Sequence, residues 1–127
     1  MPEKEEILNF WFKECKPEQW FKKKEDFDQM IENRFSDAIE DAIAGKLDNW
    51  EDIETGCLAL ILLLDQFTRN VFRDTPRAFA GDKRALALSQ LCCDKDFLAN
   101  PDIHRRQFML MPMMHSENLA VQDAALP

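Results

Sequence analysis

Seven consecutive apolar residues, LALILLL at positions 58–64, run directly into a stretch rich in polar and charged side chains. A helix that is apolar on every side is buried on every side, so this segment strongly constrains the fold. Polar groups at the end of such a helix must be solvated, paired with one another, or used to hold a ligand. The junction is therefore the best candidate site in the sequence. Its polar members are Asp65, Gln66, Arg69, Asn70, Arg73, Asp74 and Arg77.

The composition favours helices over sheets. The chain has 127 residues, enough for a core of its own, and we expect residues 1–127 to form a single helical domain. Leu, Ala, Met, Lys and Glu are frequent, whereas glycine occurs three times and tyrosine not at all. The formal net charge of −8 argues against partners such as nucleic acid or an anionic membrane surface.

The cysteines and the N-terminal residues point to a reducing compartment. No basic segment followed by an apolar run opens the chain, and residues 58–64 are too short to span a bilayer. The four cysteines show neither a CxxC pair nor a zinc spacing. The sequence therefore predicts a cytoplasmic protein with reduced thiols and with no metal or cofactor.

Apolar residues recurring every three or four positions predict the clearest helix. It begins at Glu25 or Asp26 and ends before Gly45, which stands where a left-handed residue commonly closes a helix. We also expect a short amphipathic helix over residues 3–12 and a helical turn at residues 20–21. The stripe of the long helix consists of Phe27, Met30, Ile31, Phe35, Ala38, Ile39, Ala42 and Ile43.

Further helices are predicted after a turn at residues 48–50. The third begins near Glu51, is hydrophobic on all sides through residue 64, and cannot run comfortably past Asp74. Thr75-Pro76 predicts the start of a fourth, with a capping hydroxyl before a proline at the first helical position, although Gly81-Asp82 could split off its first turn.

The C-terminal third of the chain predicts two more helices. Asn100-Pro101 starts the fifth, and Pro112 must kink or end it because proline removes a helix hydrogen bond. Ser116 then caps a last short helix that runs towards residue 125. No alternating strand pattern occurs, so we predict an all-α fold, an antiparallel helix-pair array of five or six helices.

Several stretches together resemble a known family. They are ILNFWF (7–12), WF (20–21), FDQMIENRF (27–35), AGKLDNW (44–50), the block at 58–82 and MPMMHSE (111–117). The order DQFxRN, TPRAFA, MHSE is specific, and the resemblance covers nearly the whole chain. The family is a bacterial domain-of-unknown-function family with a fold similar to tetratricopeptide-repeat helix pairs.

The resemblance implies a tetratricopeptide-like α-α superhelix and no established activity. Family members usually continue beyond MHSE, so this chain looks short at its C-terminal end. If the absent helices leave Phe108 and Met111 exposed, we expect a homodimer formed through that end.

Two interpretations of the arginine-rich junction remain open. Asp65, Arg69 and Arg73 stand at i, i+4 and i+8, and Gln66 and Asn70 at i and i+4, so one continuous helix would align them. In the structural interpretation, Asp65 pairs with Arg69 while the later arginines hold a tight turn. In the functional one, arginines at 69, 73 and 77 lie near the helix start at Thr75-Pro76 and bind an anion.

His115 and Glu117 form a second candidate cluster. A histidine beside a glutamate can serve as a general base, or it can simply brace a helix end. His104 is eleven residues from His115, about 16 Å along a helix, so the two could not share a metal ion. We hypothesise that His115 shares a pocket with Asp65 and Arg69.

Aromatic and methionine residues are expected mainly in the core, although a methionine-rich surface for a partner is an alternative. The expected core aromatics are Trp11, Phe12, Trp20, Phe21, Trp50, Phe67, Phe72, Phe79 and Phe108, and the methionines are Met109, Met111, Met113 and Met114.

Three functions are consistent with these patterns. The first, which the fold resemblance favours, is a module that binds a protein or peptide partner or serves as a scaffold. The second is a binder of, or enzyme acting on, a small anionic ligand at the arginine junction. The third is a self-associating structural protein. No phosphate loop, metal spacing or cofactor fingerprint is present in the sequence, which favours a non-enzyme.

Overall fold

The computed structural model describes residues 4–20, 25–73 and 75–115, with the side chain of residue 115 left out. Within those ranges the regular structure is helical and no strand occurs, which confirms the predicted all-α class. Two π-helical segments, Phe10–Glu14 and Leu62–Phe67, extend α1 and join α4 to α5. The α-helices are α1 Lys4–Asn9, α2 Pro17–Trp20, α3 Glu25–Ile43, α4 Glu54–Ile61, α5 Thr68–Val71, α6 Asp82–Asp94 and α7 Ile103–His115.

Helix α3 has the bounds that its apolar stripe predicted. Gly45 follows it with φ = +81°, the left-handed geometry expected of a residue that closes a helix. One member of the stripe is misplaced, since Met30 is 39% exposed. The buried residues of α3 are Phe27, Ile31, Phe35, Ala38, Ile39 and Ala42.

The apolar run at residues 58–64 forms the centre of the core. It lies in a continuous helical rod made of α4, the π segment Leu62–Phe67 and α5, and all seven of its residues are buried, as predicted. Each fully buried leucine, isoleucine or phenylalanine contributes about 1.5–3 kcal/mol relative to exposure. The rings of Phe10, Phe35 and Phe67 pack against one another beside this run.

The rod begins later than the sequence predicted. A 3₁₀ turn occupies Asp48–Asp52, and Ile53 is extended (φ −124°, ψ 155°), so the helix starts at Glu54 instead of near Glu51. Gly56 then approaches the preceding turn closely. A Cβ at this position would lie 2.1 Å from the Trp50 carbonyl oxygen.

Helix α6 packs antiparallel to the rod. Cys57, early in the rod, contacts Cys92 near the end of α6, while Gly81 before α6 lies against Leu64. On the other side, Asp28 near the start of α3 bonds to Asn70 at the end of the rod. The antiparallel arrangement agrees with the predicted helix-pair array, and the finer tetratricopeptide-like description stays a prediction.

The segment after Thr75 differs from its prediction. Pro76–Phe79 is a single 3₁₀ turn, and the Thr75 hydroxyl donates backward to the Phe72 carbonyl (2.7 Å) without capping an N–H group. The anticipated split at Gly81-Asp82 is confirmed, since α6 begins at Asp82. A Cβ on Gly81 would lie 2.5 Å from the Leu64 carbonyl oxygen, so glycine is required for this close packing.

Helix α7 packs against α6 and contributes to the core. It continues through Pro112 to His115, so the proline does not end it. The Ser89 hydroxyl of α6 donates to the Met109 carbonyl of α7 at 2.5 Å, and both residues are buried. The predicted short helix towards residue 125 lies outside the described residues.

Side-chain burial corrects two expectations. Phe79, expected in the core, is 60% exposed. Phe108 and Met111 are buried within the single chain, so the exposure that motivated the homodimer prediction is absent, although the dimer itself stays a prediction. Met109 and Met113 are also buried, whereas Met114 is 53% exposed.

Candidate functional site

Asp65 is a carboxylate buried in the middle of the rod, only 1% exposed. It lies in the π segment Leu62–Phe67, where i→i+5 hydrogen bonding replaces the α-helical pattern; such segments occur often at functional sites. The Gln66 side-chain amide donates to its Oδ2 (2.8 Å), and the Arg69 guanidinium donates to its Oδ1 (3.0 Å). A buried charge requires such compensation.

Arg69 links Asp65 to the start of α6. Its Nη1 lies 3.0 Å from the Oδ1 atoms of both Asp65 and Asp82, and its Nη2 donates to Asp82 Oδ2 at 3.2 Å. The guanidinium carbon stands 5.5 Å from the centre of the exposed Phe79 ring. One guanidinium therefore bridges two carboxylates while lying against an aromatic side chain.

Arg73 and Asn70 both bond to Asp28 of α3. Arg73 donates through Nε (2.9 Å) and Nη2 (3.2 Å) in a two-point contact, and the Asn70 amide donates to Asp28 Oδ1 at 2.8 Å. Asp28 is 16% exposed and Arg73 30% exposed at the side chain. This contact connects the first turn of α3 to the end of the rod.

Arg77 makes the most exposed of the three contacts. Its Nη2 donates to both carboxylate oxygens of Glu40, at 2.5 and 2.7 Å, and its guanidinium lies 4.8 Å from the Phe72 ring centre. Arg77 and Glu40 are each about half exposed at the side chain. The pair holds the loop after the rod against the second half of α3.

The structure divides the predicted cluster into three neighbouring contacts. The Asp65–Arg69 pair is present, as the i, i+4 spacing indicated. The condition for aligning Arg73 with them, a helix that continues to residue 73, is not met, because α5 ends at Val71 and Arg73 donates to Asp28 of α3. The side chains of Gln66 and Asn70 likewise bond to different aspartates.

An open cleft of about 390 Å³ lies between α3 and the end of the rod. Its lining carries three carboxylates and one guanidinium, so negative charge is in excess. All three carboxylates come from the N-terminal half of α3, and those of Glu25 and Asp28 lie in its first turn, where they also interact favourably with the helix dipole. The lining residues are Glu25, Asp28, Gln29, Glu32, Asn70, Val71 and Arg73.

Sequence reasoning missed the acidic half of this site. Asp28, Glu40 and Asp82 are the partners of the arginines, and they stand far from them in the chain or across a loop. The sequence feature that could have indicated it is the spacing of the acidic residues at positions 25, 28 and 32, which are three and four residues apart. That spacing places them on one side of α3 without naming the residues they face.

His115 and Glu117 remain outside this geometry. Residue 115 ends α7, its side chain is not described, and Glu117 lies beyond the described ranges. The hypothesis that His115 shares a pocket with Asp65 and Arg69 therefore stays a prediction.

Two kinds of feature are absent from the described residues. Across residues 4–20, 25–73 and 75–115, no group of three or more His, Cys, Asp or Glu side chains is arranged to hold a metal ion. Over the same part of the chain, no helix has both the length and the apolar character needed to cross a membrane.

The fold and its polar junction define an all-α helical protein built around one apolar rod. Residues 7–127 match the family described as bacterial proteins of unknown function (DUF924), and the chain belongs to that family. This confirms the resemblance read from the sequence.

A solved structure agrees with this assignment. The chain is similar to a protein of unknown function from Agrobacterium tumefaciens, with 35% sequence identity and a TM-score of 0.90. The match covers 96% of this chain and 69% of that one. The comparison with curated proteins gives no match.

Proposed function

We propose that this chain is a binding module whose cleft between α3 and the end of the rod accepts a basic segment of a protein or peptide partner. The observation that carries the proposal is the charge of the cleft, where the carboxylates of Glu25, Asp28 and Glu32 outnumber the single guanidinium of Arg73. A lysine or arginine side chain complements that excess.

The size and rigidity of the cleft support this proposal. A volume of about 390 Å³ lies near the small end of the range of ligand pockets, about 300–1,000 Å³. Its walls are two helical elements joined by the bonds from Asn70 and Arg73 to Asp28. Of the three carboxylates, that of Asp28 is therefore held in place before a partner arrives, which reduces the entropy lost on binding.

The alternative is a small anionic ligand at the arginine junction. Arg69, Arg73 and Arg77 each already donate to a carboxylate, so an incoming anion must displace that carboxylate or bind beside it. Displacement from Arg69 would also weaken the compensation of a buried or partly buried aspartate. The geometry thus favours a cationic partner group.

Titration of the full chain with three defined probes tests the proposal. The probes are a blocked tri-arginine peptide, a blocked tri-glutamate peptide and inorganic phosphate, followed in ¹H–¹⁵N amide spectra. We expect tri-arginine to shift the amide signals of Glu25, Gln29, Glu32 and Val71, and the other two probes to leave them unchanged.

The decisive criterion is whether the shifted amide signals are confined to the cleft, because a chain of net charge −8 attracts cations over its whole surface. Shifts that tri-arginine spreads evenly over acidic residues would contradict the proposal. Shifts caused by phosphate at Arg69, Arg73 and Arg77 would support the anionic alternative in its place.

A further inference from the structure

Two cysteine thiols are in contact inside the core. Cys57 of α4 and Cys92 of α6 are both fully buried, and their sulfur atoms are 3.6 Å apart. The Cys57 sulfur also lies 3.7 Å from the Leu88 carbonyl oxygen. The residues are 35 positions apart in sequence, so their contact is produced by the fold and not by local spacing.

The two thiols have different acidities. The hydrogen bond between the two thiols lowers the pKa of Cys57 despite its burial, and the same bond together with burial raises the pKa of Cys92. Burial raises the pKa of Cys15 to about 12, and Cys15 has no such partner among the described residues. The pair therefore contains one sulfur that forms a thiolate more readily and a second one placed to react with it.

We propose that Cys57 and Cys92 are a site of oxidative modification, at which a small oxidant such as hydrogen peroxide produces a disulfide between α4 and α6. The Cys57 thiolate attacks one peroxide oxygen and becomes a sulfenic acid, with release of one water after protonation. The Cys92 sulfur then attacks the Cys57 sulfur, and a second water leaves.

The reaction is balanced, and it brings together two sulfur atoms that are already in contact. Two thiols lose two electrons and two protons, and hydrogen peroxide accepts them to form two water molecules. The sulfur atoms must approach from 3.6 Å to about 2.05 Å, a shift shared between two helices. Dithiothreitol reverses the reaction by thiol–disulfide exchange.

Burial determines how fast Cys57 and Cys92 are oxidised and how strongly oxidation of Cys93 competes. Both sulfurs are inaccessible in the closed structure, so oxidation depends on local opening of α6 or on entry of a molecule as small as peroxide. Cys93 is exposed, so it reacts faster and can join two chains. Partial desolvation of its sulfur and the nearby Asp94 carboxylate both raise the pKa of Cys93, which slows that competition.

The disulfide would connect helices already joined at another point. The Arg69–Asp82 ion pair holds the start of α6 to the end of the rod, and the Cys57–Cys92 bond would hold the end of α6 to the beginning of the rod. Both ends of α6 would then be fixed. We expect the unfolding temperature to rise by several degrees, because the cross-link restricts the unfolded chain.

Peptide mapping of the full chain tests this inference. The native protein is treated with hydrogen peroxide, denatured, alkylated, digested and analysed by mass spectrometry, alongside the Cys93→Ser variant. We expect a peptide pair joined through Cys57 and Cys92 in both proteins, lost on reduction, together with the raised unfolding temperature.

The controls remove one sulfur at a time. Cys57→Ser and Cys92→Ser should each abolish the cross-linked peptide pair. If either variant fails to fold, the inference is still tested, because the unmodified chain and Cys93→Ser give the result on their own. Full alkylation of Cys57 and Cys92 after treatment that oxidises Cys93 would overturn the inference. So would cross-links that pass only through Cys93.

Discussion

At the scale of single residues, the polar junction is organised by the compensation of one buried carboxylate. Asp65 is only 1% exposed, and Arg69 supplies the charge opposite to it. Arg77 has the same chemistry but contacts Glu40 at the surface, where water and salt screen the pair. The two arginines therefore contribute differently to stability.

Arg69→Ala should lower the free energy of unfolding by about 3 kcal/mol, because it leaves the buried Asp65 without its arginine partner. Arg77→Ala is the matched control and should cost between about 0 and 1 kcal/mol, since both side chains of its pair are about half exposed. Urea unfolding of both variants measures the difference. Equal costs would show that Asp65 does not depend on Arg69.

Gly56→Ala should destabilise the chain by about 2–3 kcal/mol, or more, because the new Cβ would lie 2.1 Å from the rigid Trp50 carbonyl oxygen. Gly45→Asn is the control, since asparagine tolerates a positive φ and the nearest atom there belongs to the flexible Asp48 side chain, 3.4 Å away. Thermal unfolding compares the two. A Gly56→Ala variant as stable as Gly45→Asn would contradict the close approach.

At the scale of helices, the pattern of apolar residues carried most of the information. The run at 58–64 and the stripe of α3 predicted burial and helix bounds because both depend on local periodicity. The start of the rod was misjudged because the extended conformation at Ile53 arises where Gly56 packs on the preceding turn. That contact has no periodic signature.

For the same reason, only part of the candidate site could be predicted from the sequence. The Asp65–Arg69 pair lies within one turn and follows from spacing. The partner of Arg73 stands 45 positions away on another helix, so its identity depends on how α3 packs against the rod. The exposure of Phe79 likewise results from tertiary structure, since the hydrophobic side chain lies beside the Arg69 guanidinium instead of entering the core.

Asp28→Ala should lower the free energy of unfolding by about 1–3 kcal/mol, because it removes the acceptor that Asn70 and Arg73 share. Asp37→Ala, which removes an exposed carboxylate from the same helix, should change it by less than about 0.5 kcal/mol. Chemical unfolding of the two variants provides the comparison. No difference would mean that α3 is held to the rod by apolar packing alone.

At the scale of the whole molecule, this acidic helical protein presents a cleft in which three carboxylates lie near one guanidinium. In the proposed function, the excess of negative charge governs both where a basic partner binds and how the interaction responds to salt. Family membership and the similarity to a structure of unknown function establish the fold, and the basic partner that we propose is inferred from the charge of the cleft.

Binding of tri-arginine should weaken at least several-fold when sodium chloride rises from about 50 to 500 mM, because the Debye length falls from more than 10 Å to less than 5 Å. The unfolding temperature of the free chain should change little over the same range, since its stability derives mainly from the apolar core. Calorimetry and thermal unfolding give the two values. Affinity independent of salt would contradict recognition by charge.

The most direct test of the binding proposal is the dissociation constant of tri-arginine for Glu32→Gln and Asp37→Asn, measured by calorimetry in one buffer. Both variants lose one negative charge from the exposed side of α3, but only Glu32 lines the cleft. We predict that Glu32→Gln weakens binding by about two- to fivefold and that Asp37→Asn leaves it unchanged. Equal weakening in both would mean that the peptide responds to overall charge and that the cleft is not its binding site.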